Sequence, residues 1–263
     1  MLTEERVNDL DGAMRLLKEQ EETFGQLGDL DGLQRSLGGQ VSIVKSRGDL
    51  DGAVALLKQQ EAICRKLGYK ASLQGCLGDQ ADIAVIRGDL DSALILLKER
   101  EAICRDLGIR NNLESCLQEQ ATILGKRGAF AEALPLLEEL EGFHRKSQDV
   151  KKLASVLVLQ ALNLMDQSRF AEGVVKAEAA ARLSAENRSE PEPAIEQARE
   201  LLYSGLVLAL MDEAARLMGK PNYSFRDALS KAEEAARINN ERKLNMADSI
   251  QPTVTLLRTV VGV

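Results

Sequence analysis

Four cysteines and one histidine are the residues of this chain that most often bind metals or act as nucleophiles. Cys64 and Cys104 lie forty positions apart, and so do Cys76 and Cys116. Zinc sites usually need close pairs of ligands with short spacers, so these spacings favour small buried apolar residues. A second alternative stays open, because Cys64 and Cys76 can approach across a helix boundary as a metal or redox site. His144 lies forty positions after Cys104, at the same spacing. We interpret it as a packing residue, because the sequence has no second histidine.

Other catalytic patterns are missing from the sequence. It contains no glycine-rich phosphate loop, no nucleophile elbow and no paired catalytic carboxylates. The repeated tripeptide Asp-Leu-Asp at positions 49–51 and 89–91 lacks the remaining ligands of a calcium loop, so we interpret it as a helix cap. The sequence therefore predicts no catalytic, cofactor-binding or metal-binding residue, and a chain that is not an enzyme.

The composition excludes several classes of partner. The chain has 263 residues, of which 44% are apolar and only 3% aromatic, with no tryptophan to stack on nucleic-acid bases. Its net charge is −7 and its bases are interleaved with acids, which argues against phosphate binding. The first five residues lack the pattern of a secretory signal, and the longest apolar run, at positions 206–211, is too short to span a bilayer. Four cysteines do not make a disulfide framework. We expect a soluble, cytoplasmic protein that binds neither nucleic acid nor membrane.

A repeat of forty residues organises most of the chain. Gly48-Asp49-Leu50-Asp51-Gly52-Ala53 recurs at 88–93 and, in weaker form, at 128–133 and 168–173. Other positions follow the same spacing: Leu33, Leu73, Leu113 and Leu153; Leu37, Leu77, Leu117 and Leu157; Leu17, Leu57, Leu97 and Leu137; Gln40, Gln80, Gln120 and Gln160. So many positions at one spacing indicate a solenoid, whose units bury their apolar faces only by stacking.

Each unit contains two predicted helices. The apolar spacing predicts a first helix over 72–86, which ends at Gly88 because glycine accepts a left-handed backbone. Asp89 or Asp91 then caps a second helix, which runs to about Arg105 and is closed by Gly108.

This pattern resembles a tetratricopeptide repeat with lengthened helices, over residues 9 to 183. The resemblance rests on the turn Gly48-Asp49-Leu50-Asp51 and its copies, and on the small residue after it (Ala13, Ala53, Ala93, Ala133). The chain departs from the usual thirty-four-residue form because leucine replaces a large aromatic and the terminal proline is missing. The resemblance implies an all-α fold, a right-handed superhelical solenoid of antiparallel helix pairs.

The two ends depart from the regular repeat. The helix predicted over 9–27 matches the second helix of a unit whose first helix is missing. After residue 183 a polar stretch is followed by a helix over about 194–218, an irregular turn at Phe225, and a last helix that we expect to start at Pro252. We therefore expect regular repeats over 1–183 and a divergent repeat with a capping helix over 184–263, continuous with the solenoid.

The resemblance also implies a partner-binding surface, since in this family the first helices line a concave groove. The corresponding residues here are Arg35, Ser42, Lys45, Gly78, Asp82, Val85, Gln118, Thr122, Lys126, Leu162 and Met165. The Lys and Asn clamp of chaperone-tail-binding members is absent. For the glutamines at 40, 80, 120 and 160, both structural hydrogen bonding and ligand contact remain open.

Three functions follow from these patterns. The first is a non-enzymatic scaffold or adaptor that holds a protein or peptide in the groove, either alone or as the sensor fragment of a larger signalling protein. The second is self-association, in which the unpaired first helix and the apolar tail at 260–263 stack end to end. The third, an enzyme, would need a site that the sequence does not show.

Overall fold

The computed structural model describes residues 4–187, 193–218 and 225–261, which form helices joined by short turns, with no strand among them. The helices are α1 (Glu4–Leu27), α2 (Leu30–Ser46), α3 (Leu50–Leu67), α4 (Lys70–Ile86), α5 (Leu90–Leu107), α6 (Arg110–Lys126), α7 (Phe130–Ser147), α8 (Val150–Asp166), α9 (Phe170–Glu186), α10 (Pro193–Met218), α11 (Phe225–Arg242) and α12 (Ala247–Val261). The predicted first helices are α2, α4, α6 and α8, and the predicted second helices are α1, α3, α5, α7 and α9.

Helix boundaries follow the predicted capping chemistry. Of the two candidates, Asp89 is the N-cap of α5, and its carboxylate accepts a hydrogen bond from the backbone N–H of Ser92 at 3.0 Å. Asp49 caps α3 in the same way, 2.8 Å from the N–H of Gly52. Gly108 ends α5 with a φ of 65°, in the left-handed region that glycine adopts without a steric penalty.

The helices group into two compact units, Met1–Ile123 and Leu124–Val263. In the first, successive helices from α1 to α5 pack against one another around a core that includes Ala53, Leu57 and Leu77. These three side chains are fully buried, which confirms that the alanine and leucine positions of the repeat are packing positions. The predicted division of the chain at residue 183 stays a prediction.

The second unit contains the packed helices α7 to α12. It has two repeat positions equivalent to Ala53, namely Ala133 and Gly173. At Gly173 a Cβ atom would lie 2.5 Å from a methyl carbon of Leu202 and 3.0 Å from the carbonyl oxygen of Ala161. This close approach of three helices explains why a residue larger than glycine does not fit at position 173.

The last helix differs from the prediction. The expectation that Pro252 starts it is wrong, because α12 begins at Ala247 and contains Pro252 in its interior. Ile250, Val254 and Leu257 are buried with helical spacing on both sides of the proline. Burial of this continuous apolar face stabilises a helix across Pro252, although the proline removes one backbone hydrogen bond.

Candidate partner-binding site on the first helices

Three of the four repeated glutamines are structural. The side-chain amide of Gln80 on α4 donates to Glu61 on α3 at 2.7 Å, and Gln120 on α6 donates to Glu101 on α5 at 2.6 Å. Gln40 donates in the same way to Glu21 at 2.5 Å. Each bond joins a first helix to the preceding second helix, and a carboxylate acceptor makes it stronger than a bond between neutral groups. For these three positions the open question is answered in favour of structural bonding.

Gln160 is the exception in this row. Its side chain is fully buried, and within the described residues neither its amide nitrogen nor its oxygen forms a hydrogen bond. The expected acceptor, Glu141, is instead occupied by Lys176 at 2.8 Å and by Arg145 at 2.7 Å. Burial raises the pKa of Glu141, but hydrogen bonds from Lys176 and Arg145, with a smaller effect of the neighbouring Gln160 amide, make the net shift downward. Lys176 and Arg145 therefore hold the two carboxylate oxygens of Glu141, and the Gln160 amide lies close to this carboxylate without a hydrogen bond of good geometry.

The cysteines occupy buried positions, as predicted, and Cys64 and Cys76 also lie close enough for their thiols to interact, as the alternative expected. All four are free and buried. Burial raises the pKa of the Cys76 and Cys116 thiols to about 12, which keeps them protonated and poorly nucleophilic. Among the described residues no group of three or more His, Cys, Asp or Glu side chains is placed to hold a metal ion. His144 is buried in the second unit, in the packing position predicted for it.

In the first unit, the predicted groove residues divide by exposure. Ser42, Asp82 and Thr122 lie forty positions apart on α2, α4 and α6, and all three are exposed. Arg35 and Gln118 are also exposed, whereas Lys45 and Val85 are half-buried. The hydroxyl of Thr122 donates to the carbonyl of Gln118 at 2.8 Å, within its own helix, and so its lone pairs remain open to a ligand.

A charged cluster crosses this face from α2 to α4. Lys45 pairs with Asp79 and lies 4.0 Å from a carboxylate oxygen of Asp82. Asp79 was not predicted as a site residue, although it is one residue from Gly78 on the same helix. Because Lys45 has two carboxylate neighbours, this part of the surface is acidic.

Arg100 is a functional candidate that sequence reasoning missed. It belongs to a second helix, α5, yet its guanidinium lies over Gly78, where a Cβ atom would be 2.9 Å from the arginine Cζ. It donates to Gln74 at 3.4 Å and pairs with Glu119 at 3.3 Å, with only 14% of its side chain exposed. Gly78 is therefore buried beneath Arg100. The available signal was the paired repetition of glycine at 38 and 78 with a long polar residue at 60 and 100.

Glu119 lies beside this arginine with a perturbed pKa. Desolvation raises the pKa of its carboxyl, Arg100 lowers it, and the nearby negative charge of Asp82 raises it again. The net shift is upward. A cation or hydrogen-bond donor brought to this point would stabilise the ionised form.

The remaining predicted residues belong to the second unit. Lys126 is exposed at the end of α6. Leu162 and Met165 on α8 are half-buried and pack against the apolar clusters of that unit. This side of α8 is more apolar than the corresponding side of α2 and α4.

Two recesses lie away from the predicted groove residues. One, of about 370 Å³ in the first unit, is lined mainly by apolar side chains, including Ile83, Ile95 and Leu96. The other, of about 320 Å³ in the second unit, holds Tyr203 beneath Arg242, whose guanidinium carbon is 4.1 Å from the centre of the ring. None of the predicted groove residues lines either recess. Within the described residues, no helix is both long and apolar enough to cross a membrane.

Comparisons with known proteins agree with this architecture. No family model and no curated protein sequence matches the chain. Among solved structures, a Podosopora anserina putative kinesin light chain with nearly identical TPR-like repeats is similar, with a TM-score of 0.55, 18% identity, and coverage of 82% of this chain and 95% of that one. BtubC (BKLC) from P. vanneervenii is similar with a TM-score of 0.53, 15% identity, and coverage of 89% and 92%.

A third similar structure is the signal transduction ATPase with numerous domains from Pyrococcus horikoshii, which has a tetratricopeptide repeat sensor. Its TM-score is 0.51 and its identity 12%, with coverage of 93% of this chain and 38% of that chain. At such identities the similarity establishes the fold alone. The fold is all-α and tetratricopeptide-like, which confirms the resemblance predicted from the repeated residues.

Proposed function

We propose that this chain is a non-enzymatic scaffold that binds a protein or peptide along the first-helix face of its first unit. The observation that carries the proposal is the row formed by Ser42, Asp82 and Thr122. These side chains are exposed at equivalent positions of three successive first helices. A hydroxyl, a carboxylate and a second hydroxyl at regular intervals offer hydrogen-bonding groups for the backbone of an extended or helical peptide.

The support beneath this row is preorganised. The bonds of Gln40, Gln80 and Gln120 to carboxylates connect each first helix to the helix before it. A surface that is already ordered loses little conformational entropy when a partner binds, and this favours affinity. The similar structures include a tetratricopeptide repeat sensor, which supports a recognition role for the fold, in an adaptor or as the sensor part of a larger cytoplasmic signalling protein.

Self-association through the ends is the alternative, and it has less support. The exposed residues of α12 include Gln251, Thr255 and Arg258, and Arg258 is paired with Glu233 at 2.7 Å. Most of this surface is polar and so matches an apolar stacking partner poorly, although Leu256 on the same helix is 57% exposed. The side chains of residues 260–263, which carried part of this hypothesis, lie outside the described residues.

The proposal is tested with a display library of random sixteen-residue peptides panned against the whole chain. We expect the library to yield enriched peptides. These peptides should bind the Asp82→Arg variant at least about tenfold more weakly than the parent chain, because the substitution reverses the charge in the middle of the row. Ala55→Arg, at an exposed position of the second helix α3, is the matched control and should leave affinity unchanged. Equal losses in both variants would place binding elsewhere, and a library without specific binders would contradict the peptide-binding function.

A further inference from the structure

A recess of about 370 Å³ lies in the first unit, where α3, α4 and α5 meet. Its apolar lining comes mainly from Ile83 and Ala84 on α4, Val54 on α3, and Leu96 on α5. Binding sites for small molecules are typically clefts of about 300–1,000 Å³, lined by apolar side chains with a small number of polar groups. The recess therefore has the size and the lining of a small-molecule site.

Ala84 leaves open a space that larger residues occupy in other repeats. The equivalent residues are Val44 on α2, Leu124 on α6 and Leu164 on α8. Val44 packs against the apolar core of the first unit, and both leucines are buried. Because alanine has fewer carbon atoms than valine or leucine, the packing of the repeat that contains α4 leaves the recess unfilled.

Ile95 on α5 presents an exposed apolar side chain to the recess. It is one of the lining residues, and 69% of its surface is accessible to solvent. The equivalent residue of α3 is Ala55, which is also exposed but has much less apolar surface. A ligand with an apolar chain gains free energy here, because it removes part of the Ile95 side chain from water when it binds.

Lys58 on α3 is the unpaired charge of the lining, since within the described residues it forms no ion pair. The other two charged residues of the lining have partners. Arg87 pairs with the carboxylate of Asp51. Asp89 accepts a hydrogen bond from the backbone N–H of Ser92, at the positive end of the α5 helix dipole. An apolar ligand that carries one carboxylate therefore supplies the charge that Lys58 lacks.

We propose that this recess binds a small apolar carboxylate, of which a medium-chain fatty acid is the simplest example. The carboxylate pairs with Lys58, and the chain lies against Ala84 and Ile95. The recess is separate from the row of exposed side chains proposed to bind a peptide, since no residue of that row lines it. The small-molecule site therefore does not depend on the proposed peptide binding.

The test uses decanoate as the probe. It is titrated into the whole chain in a calorimeter, below the concentration at which decanoate forms micelles. We expect saturable binding that Lys58→Glu weakens at least about tenfold, because the substitution replaces an attraction with a repulsion. Lys98→Glu is the matched control, since Lys98 is exposed at the same repeat position of α5 and does not line the recess, and it should bind decanoate as the parent chain does.

A second substitution tests where the chain of the ligand lies. Ala84→Leu places in the recess the residue that stands at the equivalent positions of α6 and α8, so the fold should be retained, which circular dichroism checks. We expect this variant to bind decanoate at least about tenfold more weakly than the parent chain, because the leucine occupies the space of the ligand. Octanoate, a shorter ligand, should bind the parent chain roughly tenfold more weakly than decanoate, because it buries fewer CH₂ groups.

Three results would overturn the proposal. The first is the absence of saturable decanoate binding, or binding by Lys58→Glu that equals that of the parent chain. The second is an equal loss in Lys98→Glu, because binding would then follow the net charge of the chain and not the recess. The third is unchanged binding by a folded Ala84→Leu protein. Lys58→Glu changes an exposed side chain and so decides the question even if Ala84→Leu does not fold.

Discussion

Replacing Gln160 with leucine should stabilise the protein, although the same replacement at Gln120 should destabilise it. Both side chains are buried at the same repeat position, with 0% and 2% of their surface exposed. The amide of Gln120 donates to the carboxylate of Glu101 at 2.6 Å, whereas neither polar atom of Gln160 has a partner among the described residues. The same change therefore removes a hydrogen bond at one position and an unsatisfied buried amide at the other.

The magnitudes follow from that difference. A hydrogen bond to a charged group contributes about 1.5–3 kcal/mol, and leaving a buried polar group unsatisfied costs about 1–3 kcal/mol. Leucine has nearly the volume of glutamine, so cavity terms are small in both variants. We expect Gln120→Leu to lower the free energy of unfolding by about 1.5–3 kcal/mol and Gln160→Leu to raise it by about 1–3 kcal/mol. Glu141 keeps Lys176 and Arg145 as partners in the second variant.

Differential scanning calorimetry is the suitable assay, because it reports the Tm of each variant directly against that of the parent chain. Each kcal/mol corresponds to a change in Tm of about 2–4 °C for a domain of 150–250 residues. Urea unfolding followed by circular dichroism provides the second measurement. A Gln160→Leu protein that loses as much stability as Gln120→Leu would refute the reasoning, since it would mean that Gln160 makes a stabilising bond.

Four further predictions test other features. Gly173→Ala should lower stability in urea unfolding by about 1–3 kcal/mol through overpacking, whereas Gly142→Ala, whose Cβ meets nothing within 4 Å, should be neutral or stabilising. Ser168→Gly should stabilise by roughly 0.5–1 kcal/mol in the same assay, because Ser168 has a φ of 59° where earlier units have glycine. The pKa of Glu119 is higher in the folded chain than in the unfolded chain. Its protonated carboxyl therefore stabilises the fold at a pH below the unfolded pKa, and this stabilisation is lost as the pH rises through the folded pKa. Glu119→Gln should therefore raise Tm at pH 7, and the gain should fade as the pH falls towards about 4.3; a gain independent of pH would contradict this. With a pKa of about 12, roughly one in ten thousand Cys76 side chains is a thiolate at pH 8. A thiol reagent should therefore label Cys76 only after denaturation. Rapid labelling of the native chain would contradict the burial of this thiol.

The repeat itself was predictable because its signals are local. A glycine with a left-handed backbone, an aspartate at an N-cap and apolar residues at helical spacing act within a few residues of one another. For this reason Asp89 and Gly108 identify the ends of α5 without any knowledge of its neighbours. Pro252 shows the limit of the local signal, because burial of Ile250, Val254 and Leu257 outweighs the tendency of proline to begin a helix.

Contacts between helices were decided by the tertiary structure. Four glutamines occupy one repeat position, yet only Gln160 among them lacks a hydrogen bond of good geometry, and its neighbour Glu141 is paired with Lys176, thirty-five residues away in the sequence. Arg100 belongs to the second helix α5, yet its guanidinium lies on the face of the first helix α4, because Gly78 has no side chain to exclude it. The sequence determined which residues pack, since packing positions repeat with the helix period. Which polar group meets which depends on side chains that converge from distant segments and compete for one partner, and only the folded chain brings them together.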